Sequence, residues 1–195
     1  MASGFAAASA GGSATAEDLL AASDIGPCEL VQGTLVMMSP AGFEHGVITQ
    51  RIAAMLHAYV AARKLGVVTA AETGFLLARS PDTVRAADVA FVAERRVPRG
   101  RTVGFFEGAP DLAVEVLSPS DVRDHAARSR AIAKIAAWLA AGCLEVWSVD
   151  PADRAVTVHT SGGALRLASE ADSLVSTAVP GLTVRLVDLL PPQAA

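Results

Sequence analysis

The stretch Pro110–Asp121, PDLAVEVLSPSD, limits the possible folds more than any other part of the chain. Leu112, Ala113, Val114, Val116 and Leu117 make a short apolar run, closed by Pro110 on one side and Ser118-Pro119-Ser120 on the other. A run of that length bounded by turn residues is the pattern of a central strand covered on both faces. Glu115 stands inside it. A carboxylate at such a position is costly to bury unless it is paired or binds a cation. Its sequence neighbours offer no countercharge, so a metal ion is the economical partner.

The flanking segments suggest what surrounds this strand. Residues 1–16 are mostly Ala, Gly and Ser and predict a flexible tail, with one domain over 17–195. A short helix is expected from about Thr15, ended by Gly26-Pro27, then a hairpin over Glu29–Met38 turning at Gln32-Gly33. Ile48, Ile52, Leu56 and Tyr59 or Val60 recur at helical spacing and predict a long helix over Glu44–Leu65. Strands follow at Gly66–Ala70, Gly74–Ala78 and Val84–Val92, and the last runs into a basic loop carrying Arg95, Arg96, Arg99 and Arg101. After the central strand a second helix ends at Gly142, and Leu144–Val149 reads as another buried strand. A helical crossover makes these two strands parallel. The remainder alternates with period two around Gly162-Gly163, and Val179–Leu186 is expected to be a last edge strand. Together these elements define an α/β (α+β) mixed sheet flanked by helices.

Asp88 lies within VRAADVAFV, otherwise apolar after Arg85. Two acids on strands that can be neighbours offer what a hard divalent cation needs, namely oxygen ligands with positions left open for water and phosphate. Walker, GxGxxG, HExxH and GxSxG patterns are absent, which removes nucleotide-binding, zinc-protease and serine-hydrolase readings. The formal charge of −4 excludes a global basic field, so contact with nucleic acid falls to a local patch. The Arg95–Arg101 loop is the candidate. His45, at the start of the long helix, and Glu72, before the second strand, are possible accessories to the acid pair. Cys28 and Cys143 lack metal-ligand spacing and are expected to be reduced. No apolar run is long enough to span a bilayer, and the chain reads as soluble and cytoplasmic.

The order of ELVQGTLVMMSP, His45-Gly46, ETGF, VRAADVAFV, GAPDLAVEVLSPS, KIAAWLAAGCLEVWSVDP and VPGLTVRLVDLL resembles the Uma-two family of the PD-(D/E)XK nuclease superfamily, over about Glu29 to Leu190. The resemblance implies a restriction-endonuclease-like core and Mg²⁺- or Mn²⁺-dependent hydrolysis of phosphodiester bonds, in DNA by preference, by a homodimer. It places Asp88 and Glu115 as metal ligands, the Val116 carbonyl as a third, and Lys134 as the site cation. A nuclease-fold module without catalysis, used for DNA binding or assembly, is the alternative. Two positions depart from the family pattern. Ala87 stands where a proline is usual, and the link from Glu115 to Lys134 is longer than usual. A helix starting at Asp121 would carry Lys134 past the acid unless the extra residues, Asp121–Ala126 for example, form a loop; Arg128 or Arg130 could substitute for it. On a helical wheel Arg123, Arg130 and Lys134 share one stripe, opposite Ile132, Ile135 and Leu139.

Overall fold

The computed structural model describes residues 13–22, 25–169 and 171–191. The first twelve residues of the Ala/Gly/Ser tail lie outside them. At its end, Ala14 and Ala16 are buried, and the Ala14 amide donates to the Gly33 carbonyl. Thr15 caps α1 (Ala16–Ala21) in a reciprocal box with Asp18, as a Thr three residues before an acid favours. The hairpin of β1 (Cys28–Val31) and β2 (Thr34–Met37) turns at Gln32-Gly33, both in the left-handed region, the geometry that matches strand twist.

The long helix is α2 (Phe43–Arg63), ended by Lys64 in the left-handed conformation rather than by Gly66. Gly66 instead lies so close to the Val92 carbonyl that a side chain would collide with it. The two strands expected next are one, β3 (Gly66–Ala78), because an irregularity between Ala70 and Thr73 absorbs the polar Glu72 without ending the pairing. It pairs along β4 (Thr83–Ala93) and meets the short β5 (Phe106–Glu107). The central strand is β6 (Leu112–Val116), buried at every position. It lies parallel to β7 (Glu145–Asp150), and β8 (Ala155–Thr160) and β9 (Gly163–Leu167) extend the sheet as a hairpin. The sheet order is β2-β1-β4-β6-β7-β8-β9. The expected edge strand near the C-terminus is β11 (Thr183–Arg185), which pairs only with β10 (Ser173–Val175) in a separate two-stranded sheet before α5 (Leu186–Leu189).

Ile48, Ile52, Leu56 and Val60 of α2 cover one face of the sheet, over Val89, Phe91, Leu112 and Val114. The crossover helix, α4 (His125–Ala140), covers the other with Trp138 and Ile135, over Phe75, Ala90 and Ala113. Between β6 and α4 the chain makes a separate single turn, α3 (Pro119–Val122), and restarts at Asp124, whose carboxylate caps Ala127. The extra residues of the link therefore form their own turn, and α4 begins late enough for Lys134 to face the sheet. Ile132, expected on the apolar side, is 66% exposed, while Lys134 lies on the side of Ala127, Ile135 and Trp138. Helical spacing groups these four residues, and the sheet below selects their face.

Candidate active site

The site forms where the sheet forks. β3 takes one edge of β4 along its whole length, so β1 and β6 share the other edge from opposite ends. β1 pairs at Leu30↔Val84, and β6 begins at Val89↔Val114. Among the described residues the backbone of β4 has no strand partner on that edge between those points, and a peptide group left unpaired away from water is expensive. Side chains supply the partners. The Ala86 amide donates to Glu29 Oε1 at 2.9 Å, and the Ala86 carbonyl accepts from Lys134 Nζ at 2.9 Å. One step past the last pair of the β4–β6 ladder, Val116 gives its amide to Asp88 Oδ2 at 2.7 Å.

This arrangement brings Asp88, Glu115, Lys134 and His45 together. Glu115 Oε1 accepts from the Trp138 indole at 2.8 Å, and its Oε2 stands 2.8 Å from Lys134 Nζ. Trp138 and Lys134 are one helical turn apart, so a single helix face holds both carboxylate oxygens. Asp88 Oδ1 faces His45 Nε2 at 3.1 Å. Glu29 lies 3.2 Å from Lys134 and 2.6 Å from Arg85. Burial pushes the Glu115 carboxyl up to about 7, with Asp88 adding to the rise and Lys134 opposing it. Burial alone would lower the Lys134 amine, but the Glu115 and Glu29 charges outweigh it and hold it above the usual lysine value. The hydrogen bond that His45 donates to Asp88 raises its imidazole above the ordinary value.

The other sequence candidates lie apart from this cluster. Glu72 is exposed at the irregularity in β3, with φ +65. Arg128 and Arg130 are exposed on α4, and neither replaces Lys134. Arg95 and Arg96 are each 3.1 Å from the buried carboxylate of Asp111, which also accepts the Ala93 amide. They anchor the start of their loop, while Arg99 and Arg101 are exposed. Glu29 received no role from the sequence. The signal that marked Glu115, an acid inside a short apolar strand, was present in CELV as well.

Among the described residues no group of three or more His, Cys, Asp or Glu side chains forms a ready-made metal cage. The donors still fit a hard cation. An ionised carboxylate has about four lone-pair sites, and Asp88 and Glu115 each spend two on protein partners. Mg²⁺ commonly takes one or two carboxylates and completes its shell with water and phosphate. Nδ1 of His45 is buried without a partner, a further polar atom at the site.

The fold is a restriction-endonuclease-like mixed sheet flanked by helices, with Asp88 in the middle of β4, Glu115 near the end of β6 and Lys134 on the following helix. The chain belongs to the Uma2 family, described as "Putative restriction endonuclease", which it matches over residues 16–189. It is also similar to a crystal structure from Anabaena variabilis ATCC 29413 described as "a putative nuclease belonging to DUF820". The TM-score is 0.77 at 19% identity, covering 90% of this chain and 96% of that one. No curated protein matches the chain. Among the described residues no helix is long and apolar enough to cross a membrane.

Proposed function

We propose that the protein is a Mg²⁺- or Mn²⁺-dependent endonuclease acting on phosphodiester bonds of DNA. The observation that carries this reading is the convergence of Asp88, Glu115 and Lys134 at the fork of the sheet, beside the partly exposed Asp88 carboxylate. Asp88 and Glu115 would hold the ion, with the Val116 carbonyl as third ligand. The Val116 amide on Asp88 fixes that stretch of backbone beside the ligand position. When bound, the ion supplies Lewis acidity, which polarises the phosphate and favours a hydroxide nucleophile. Lys134 remains protonated and is the group suited to meet negative charge on the phosphate oxygens. Trp138 aims Glu115, and His45 restrains Asp88. Arg99 and Arg101 are free to follow a nucleic-acid backbone, and a homodimer would reach both strands.

One observation favours a second reading, a non-catalytic module for DNA binding or assembly. Lys134 already neutralises Glu115 without an ion. Calorimetry with millimolar Mn²⁺, on wild type and Asp88→Asn, separates the two. Binding that Asp88→Asn abolishes, together with cleavage of plasmid DNA lost in Glu115→Gln, supports the enzyme. Absence of binding in the wild type supports the module.

A further inference from the structure

We infer that Glu29 is a positioning residue that holds Lys134 in the site when Glu115 turns to a cation. This rests on the nuclease reading above. An ammonium group has three hydrogens to donate. Those of Lys134 face Glu115 Oε2 at 2.8 Å, the Ala86 carbonyl at 2.9 Å and Glu29 Oε1 at 3.2 Å. Glu29 is 4% exposed and held from behind by the Ala86 amide and by Arg85, so it is a fixed anchor and not a swinging side chain.

The charge balance shows why a second anion is needed. With Glu115 ionised, the carboxylates of Asp88, Glu115 and Glu29 face the cations of Lys134 and Arg85 and, when it is protonated, the imidazole of His45. A divalent ion on Glu115 repels the ammonium of Lys134. With Glu29 present, the amine keeps two of its three partners and stays beside the phosphate position. Without Glu29, Glu115 is the only anion among the described residues within hydrogen-bond reach of Lys134. An incoming ion must then compete with the lysine for that carboxylate. Glu29 thereby lowers the cost of metal entry by acting through Lys134, without touching the ion.

A double-mutant cycle read by Mn²⁺ calorimetry on the full chain tests this. Glu29→Gln is expected to weaken Mn²⁺ binding about tenfold, the scale of one charge-assisted hydrogen bond. Lys134→Met removes the competing cation and, read at a pH high enough that Glu115 is ionised in every variant, is expected to tighten binding by a similar factor. In the Lys134→Met background, Glu29→Gln is expected to change affinity less than about threefold, and Glu29→Asp to recover part of the single-variant loss. Equal weakening in both backgrounds overturns the inference, because Glu29 would then act on the ion directly. An unchanged Glu29→Gln variant overturns it as well. If the Glu29 variants lose their near-ultraviolet circular dichroism, Lys134→Met alone decides, and unchanged or weaker Mn²⁺ binding refutes the competition. Wild-type protein that binds no Mn²⁺ overturns the nuclease reading and this one together. Wild-type binding without coupling overturns only this one.

Discussion

Replacing Lys134 with methionine keeps much of the side chain's volume and removes the cation that faces Glu115. Burial has already raised the Glu115 carboxyl to about 7, and Lys134 is the main influence pulling it down. Without the amine the folded-state value rises further. A group whose folded pKa lies above its unfolded value stabilises the fold at low pH and loses that contribution as pH rises through the folded pKa. In wild type the loss runs from the ordinary carboxyl value of 4.5 to about 7 and then stops. In Lys134→Met it continues past 7, at 1.36 kcal/mol per pH unit. From pH 7 to 8.5 this adds up to ~2 kcal/mol to the cost of the substitution, or up to ~4–8 °C in Tm for a chain of this size. Lys134 itself does not titrate in that window, because its value is raised from 10.5. The imidazole of His45 is raised above its ordinary value by Asp88, so a His45→Gln background removes its contribution and isolates that of Glu115. Thermal unfolding of both proteins at pH 5.5, 7 and 8.5 gives the comparison. A Tm difference that stays constant or shrinks above pH 7 would refute the coupling of Lys134 to Glu115.

Three further outcomes follow from the same geometry. Mn²⁺ affinity is expected to rise with pH about a midpoint near 7, because a protonated Glu115 gives up a ligand oxygen; a flat calorimetric profile between pH 6 and 8 would argue against Glu115 as ligand. Trp138→Phe keeps the ring beside Phe75 but removes the donor to Glu115, so it is expected to cost ~1–3 kcal/mol and to shift that midpoint upward, as urea melts and the same titration would show. Glu145 is fully buried and accepts from Trp147, Thr177 and Ala178. Its replacement by alanine is therefore expected to destabilise by ~3 kcal/mol or more, with a Tm drop of ~6 °C or greater, and a loss below 1 kcal/mol would show that these donors find other partners.

Period and punctuation in the sequence determined the hairpin at Gln32-Gly33, the long helix, the parallel pairing of β6 with β7, and the two acids that meet at the fork. Each of these is local, or follows from a chain rule such as crossover handedness. The sequence also marked Lys134, but not how far it reaches, because a wheel drawn from Asp121 assumes one unbroken helix. Only the tertiary structure decided that the chain turns once at Pro119–Val122 and restarts at Asp124. It alone also put Lys134, and not Ile132, on the side that faces the sheet. Glu29 and Arg85 lie 86 and 30 residues from Glu115 in the chain, and no periodicity links them. Their meeting depends on β1 and β6 sharing one edge of β4 and leaving Ala86 unpaired between them. Satisfying the amide and carbonyl of that half-buried residue brings the side chains of Glu29 and Lys134, from two separate elements, to one point.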